Sequence, residues 1–135
     1  MREKFMHSAL DLAKKAAENG EIPVGAVVVK NGEIIGSGYN LTETEKNPFA
    51  HAEIKAIAAA AELLGDWRLS DCEIYVTLKP CEMCMGAIKN ARIKTLVFGA
   101  ERNSDPLNPN TFGGVLESKC EALLNDFFKK KRGNA

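Results

Sequence analysis

Two clusters of potential metal ligands, His51-Ala52-Glu53 and Pro80-Cys81-Glu82-Met83-Cys84, lie far apart in the chain yet together offer the ligands of one site. A fold that uses both has to bring two separate helix starts to a single point, because each cluster opens a predicted helix. The first helix is read from the alanine-rich run Ala50 to Leu64, with Gly65 just beyond as a stop. The second is read as Cys81 to Ala91, with Pro80 at its entry, where the missing N–H of proline costs little. Backbone N–H groups and the dipole at a helix start favour anions and thiolates, so the placement suits ligands of this kind.

The ligand count bears on the chemistry. His51, Cys81 and Cys84 make three ligands, and Glu53 is left over. A structural zinc site is usually closed by four protein groups, whereas a catalytic one keeps three and leaves a position for water. Cys81 and Cys84, at i and i+3, share a helical face, and two thiolates balance the charge of Zn²⁺. Metal binding lowers the pKa of water from about 15.7 towards ~7. Glu53, two residues from His51, falls off the ligand's face in a regular helix but can reach that water from the side near the helix start. Its expected role is to take the proton of the water and return it later in the reaction as a general acid. A lone Cys-x-x-Cys fits redox chemistry or structural zinc about as well. Both halves at helix starts favour a catalytic zinc, one per subunit, over a structural or degenerate one.

The rest of the chain supplies the frame. Phe5, Ala9, Leu12, Ala13 and Ala16 recur at helical spacing before Asn19-Gly20. Asn31-Gly32 separates two runs rich in β-branched residues, the strongest short hairpin signal a sequence gives, so strands of about 24–30 and 33–39 should pair antiparallel. Leu41 to Phe49 is polar, contains Pro48 and reads as a loop, with Glu43 and Glu45 solvated. Strands are expected over Cys72 to Leu78 and Thr95 to Gly99. A final helix is expected from about Glu117 to Lys131, with Cys120, Leu123, Leu124, Phe127 and Phe128 as its apolar face. The two prolines, three asparagines and two glycines between Ala100 and Gly114 predict a loop. A hairpin followed by helix, strand, helix, strand and helix predicts α/β layering, a mixed central sheet with helices on both faces.

Composition excludes little and permits a core. The 135 residues suit one domain, 1–135, with a basic helix end or tail at about 129–135. Eighteen basic and eighteen acidic residues cancel, so net charge is silent about a polyanionic partner. Lys129, Lys130, Lys131 and Arg132 read as solvated cations that suit a helix C-terminus. Met1-Arg2-Glu3-Lys4 predicts no secretory leader, and no apolar run approaches the roughly 20 residues that span a bilayer. Cys72 and Cys120 lie alone in apolar patterns and read as buried hydrophobes. One close pair and two lone cysteines suit a reducing compartment, hence the cytoplasm. His7 reads as an ordinary surface histidine, and Met83 and Met85 as fillers of core gaps.

These residues resemble the cytidine deaminase-like superfamily, and within it the tRNA-specific adenosine deaminases. The resemblance runs through Glu21-Ile22-Pro23-Val24-Gly25-Ala26, Gly38-Tyr39-Asn40, Ala50-His51-Ala52-Glu53, Tyr75-Val76-Thr77-Leu78 and Pro80-Cys81-Glu82-Met83-Cys84-Met85-Gly86-Ala87-Ile88. It continues with Arg92-Ile93, Val97-Phe98-Gly99-Ala100 and Leu124-Asn125-Asp126-Phe127-Phe128. The metal pattern, H-x-E with P-C-x-x-C, marks zinc deaminases of nucleobases. The resemblance implies a three-layer α/β/α fold, zinc on His51, Cys81 and Cys84, Glu53 as proton shuttle, and Asn40 as a contact to the base. It further implies a homodimer that hydrolyses the wobble adenosine of a tRNA anticodon loop to inosine, with the base flipped out. In that setting the basic tail gains a reading as a phosphate contact. Phe49 stands where the family usually has a small polar residue, and Lys79 where an acidic one is common. The segment before the last helix is short, and Asn110-Thr111-Phe112-Gly113-Gly114 is a poor substitute for the family's fifth strand. The alternatives are a free-base deaminase for guanine or cytosine on the same scaffold, and a non-catalytic zinc-stabilised partner subunit. Intact Glu53 argues against the latter.

Overall fold

The computed structural model describes residues 2–101 and 111–133. Helix α1 (Arg2–Glu18) leads into strands β1 (Gly25–Lys30) and β2 (Glu33–Tyr39), followed by α2 (Thr42–Glu45), α3 (Ala52–Leu64), β3 (Cys72–Leu78), α4 (Glu82–Asn90), β4 (Thr95–Ala100), β5 (Thr111–Phe112) and α5 (Glu117–Gly133). The sheet order is β2-β1-β3-β4-β5. β1 pairs antiparallel with both β2 and β3, while β3–β4 and β4–β5 are parallel. The mixed sheet opened by a hairpin is thus present. Asn31 and Gly32 take φ of 52° and 78°, the left-handed pair that a two-residue turn twisted with its strands requires.

Helices cover both faces, as a sheet this apolar demands. One core joins Ala52, Ala56 and Ala60 of α3 and Ile88 of α4 to Val28, Ile74, Val76 and Phe98 of the sheet. The other joins Phe5, Met6, Ala9 and Leu10 of α1 and Cys120 and Leu124 of α5 to Val27, Val29, Tyr75 and Val97. Adjacent strand residues therefore alternate between two apolar layers, as the pleat dictates. The alanine face of α3 lets it lie close on β2: a methyl group added at Gly38 would meet the Ala52 carbonyl oxygen at 2.7 Å and the Ala56 nitrogen at 2.8 Å. Small residues on both sides fix where α3 begins.

Four expectations are corrected. Leu41–Phe49 is not all loop, since Thr42–Glu45 forms a helical turn. Its cap comes from Glu21, a residue remote in sequence, and so leaves no local signature. Nor is Glu45 simply solvated, because its two oxygens sit 2.6 Å from Lys55 Nζ, although the pair is about one-third exposed. α4 starts one residue later than the proline rule suggests: Cys81 is the N-cap, so Pro80 precedes the cap. Thr111–Phe112 forms a short fifth strand, pairing with Leu96 and Val97. Long-range pairing there overrides the glycines that follow. The expectations for residues 102–110 and 134–135 lie outside the described residues.

Candidate catalytic metal centre

The two helix starts meet. His51 is the N-cap of α3 and Cys81 that of α4, both with extended backbone (ψ 153° and 174°) and neither spending its side chain on a capping bond. Their side chains are therefore available to a ligand. Cys84, in the first turn of α4, is fully buried. His51 Nδ1 lies 3.7 Å from Cys81 Sγ and 3.5 Å from Cys84 Sγ, and all three ligand atoms fall within 4.8 Å of one another. A tetrahedral zinc with Zn–S near 2.3 Å and Zn–N near 2.0–2.1 Å separates nitrogen from sulfur by about 3.6 Å. The donor set and its spacing fit zinc, and these three residues could hold one ion. Among the described residues this is the one such cluster of His, Cys, Asp and Glu side chains.

Glu53 stands beside them, second residue of α3 and only 4% exposed. Burial pushes its carboxyl up to about 7, against smaller lowering by its own backbone N–H and the Cys84 thiol. That value lets it exchange protons near neutrality. The Cys84 thiol is also pushed up, first by burial and then by the charge of Glu53. A bound cation inverts this order, because a coordinated thiol is deprotonated outright.

A cavity of about 300 Å³ opens onto the cluster. His51, Glu53 and Cys81 line its floor, and Ile22, Asn40 and Thr42 contribute its wall. Asn40 is buried; its Nδ2 donates to the Ile22 carbonyl at 3.3 Å and its Oδ1 accepts from the Thr42 N–H at 3.3 Å. Its amide is thus fixed in the wall rather than free to rotate. Lys79 also lines the cavity, with Nζ 3.4 Å from a Glu101 oxygen and its side chain almost wholly buried. Of the residues singled out for the site, Asn40, His51, Glu53 and Cys81 therefore line one cavity, and buried Cys84 joins them through its 3.5 Å approach to His51. Sequence reasoning gave no site role to Ile22, Thr42 or Glu21: Glu21-Ile22 stood only within a family-like segment, and Thr42 lay in a polar stretch read as loop. Of the lone features, His7 is exposed, Cys72 and Cys120 are buried, and Met85 packs on the core while Met83 is only half-buried. Phe49 is exposed, as are the side chains of Lys129 to Arg132. Among the described residues no helix is long and apolar enough to cross a membrane.

A helix-start His, a Cys-x-x-Cys pair and a buried carboxylate on an α/β/α sheet define a zinc-dependent nucleobase deaminase scaffold. The family of the cytidine and deoxycytidylate deaminase zinc-binding region matches residues 1–100, and the chain belongs to it. Among its relatives, the tRNA-specific adenosine deaminase of Bacillus subtilis is 43% identical over 148 residues, covering 96% of this chain and 90% of that protein. The tRNA-specific adenosine deaminase of Haemophilus influenzae is 43% identical over 146 residues, covering 96% and 84%. A solved structure from a study of A-to-I editing by tRNA:A34 deaminases superposes with a TM-score of 0.84 at 37% identity, over 90% of this chain and 99% of that one. A guanine deaminase from Bacillus subtilis superposes with a TM-score of 0.70 at 44% identity, over 73% and 64%.

Proposed function

We propose that the whole chain acts as one hydrolytic deaminase domain that converts the wobble adenosine of a tRNA anticodon loop to inosine and releases ammonia. The observation that carries the chemistry is the three-ligand cluster with buried Glu53 beside it in an open cavity. The substrate rests on the near full-length similarity to tRNA-specific adenosine deaminases. His51, Cys81 and Cys84 hold one zinc, which supplies the Lewis acidity that makes water a nucleophile at neutral pH. Glu53 takes a proton from the attacking water, delivers it to the ring nitrogen, and serves again as the amine leaves as ammonia. Its place in the first turn of α3, beside the ligands and lining the same cavity, puts the carboxylate within reach of that water. Asn40 keeps its second Nδ2 hydrogen for the base, because the amide is held by the Ile22 and Thr42 backbone. The 300 Å³ cavity admits a base only when it leaves its stack, which unpaired anticodon nucleotides do at low cost.

Two further parts of the proposal are a homodimer and a cytoplasmic setting. Four cysteines, none in a disulfide, support the reducing compartment, and light scattering on the purified protein reads the dimer. Guanine deaminases share the scaffold, so the test separates substrates. Purified protein is incubated with an adenosine-wobble stem-loop and, separately, with guanine, cytosine and cytidine. Inosine in the RNA with no product from the free bases is the expected result; the reverse pattern rejects the RNA reading. Glu53→Ala should keep zinc and lose turnover.

A further inference from the structure

We propose that Glu21 is the positioning residue for the base-binding wall of the cavity, acting through α2 rather than on the substrate. The proposal rests on reading Asn40 as the base contact. Glu21 follows α1 at the turn into β1 and is 1% exposed. Its carboxylate accepts from the Glu43 N–H at 3.1 Å, the Thr44 N–H at 2.6 Å and the Thr44 hydroxyl at 2.6 Å. These donors belong to the first turn of α2. The local N-cap, Leu41, offers no side-chain bond, so Glu21 does from a distance what a capping Ser or Asp does from within. Four residues cannot hold a helical turn by themselves. The exposed Lys55–Glu45 pair at the other end contributes little.

The consequence is a closed ring. Glu21 holds α2, whose first residue, Thr42, donates to Asn40 Oδ1; Asn40 Nδ2 donates to Ile22 O, and Ile22 is covalently joined to Glu21. Ile22, Asn40 and Thr42 all line the cavity, and none belongs to the metal-binding cluster. The ligands sit instead on the starts of α3 and α4, which the ring does not include. Burial raises the Glu21 carboxyl, but bonds from Thr44 and Glu43 outweigh it and hold the group below the usual carboxylate range. It therefore stays an acceptor for all three donors throughout the neutral range.

Loosening the ring should shift the wall and spare the metal. In Glu21→Gln an amide NH₂ faces backbone N–H donors. The variant should keep one zinc per chain and kcat within about twofold, while KM for the stem-loop rises about tenfold. Thr44→Val removes one of the three bonds from an exposed side chain, and KM should rise about threefold. If Glu21→Gln does not fold, Thr44→Val alone decides. A zinc-loaded variant with the wild-type KM overturns the proposal, as does zinc loss that accompanies the KM change in Thr44→Val. Failure of the RNA reading shows separately, in the wild type. Should the wild type turn over a free base instead, the same variant-to-wild-type KM ratio is measured on that base.

Discussion

Glu53→Gln should stabilise the metal-free protein while abolishing its chemistry, and the size of the effect follows from the structure. Glu53 is 4% exposed, and burial lifts its carboxyl from an ordinary value of 4.5 to about 7. A carboxyl raised in the folded state favours folding fully only below its unfolded pKa. Its contribution is lost as pH rises through the folded value. Over about 2.5 pH units, at 1.36 kcal/mol each, the ionised carboxylate costs the fold about 3 kcal/mol at pH 8 and less than about 1 kcal/mol at pH 5. Glutamine has nearly the same shape and carries no such cost. Chelator-treated wild type and Glu53→Gln are compared by urea denaturation at pH 5 and pH 8. The variant should lead by about 3 kcal/mol at pH 8, equivalent to a melting-temperature gain on the order of 10 °C, and by much less at pH 5. Zinc-loaded Glu53→Gln should lose about 10²- to 10⁴-fold in turnover, the usual worth of a positioned acid–base group. Equal stability of the two metal-free proteins at pH 8 would show that the carboxylate is not desolvated, and the argument for its neutral-range proton exchange would fail.

Other outcomes are sharper than a loss of activity. Gly38→Ala forces α3 away from β2 at Ala52, next to the His51 ligand, so it should cost about 1–3 kcal/mol in thermal denaturation and weaken zinc binding in a chelator competition. In folded metal-free protein, iodoacetamide should label exposed Cys81 well before buried Cys120, whose thiol burial pushes up to about 11; peptide mapping reads the order. Glu21, held below its ordinary 4.5, contributes stability that is present above that value and lost as pH falls through its lower folded value. An acid titration followed by circular dichroism should therefore show a shallower decline for Glu21→Gln than for wild type.

Much of the centre was legible because it is built from local rules. Ligand chemistry singles out His51, Cys81 and Cys84, and each half-motif adjoins a helix start that alanine content and Pro80 announce. The hairpin was equally plain, since Asn31-Gly32 is one of few pairs that accept left-handed backbone twice in succession. The raised carboxyl of Glu53 was not legible. Desolvation depends on what the fold stacks around a side chain, and a glutamate in the first turn of a helix is ordinarily solvated. The same holds for β5, whose two residues gain strand geometry only because Leu96 and Val97 lie alongside.

The sequence by itself determined which chemistry is possible: three ligands of the right kinds, a spare carboxylate, and two helices to carry them. Periodicity and turn residues also fixed the layering, because those signals are local and strong. Tertiary structure decided how these residues come together as one site. It brought His51 Nδ1 to 3.5 Å from Cys84 Sγ, buried Glu53, and used Glu21 to raise α2 as a wall beside Asn40. Those three facts depend on contacts between residues remote in sequence. Desolvation and long-range hydrogen bonds exist only once the chain has closed around them.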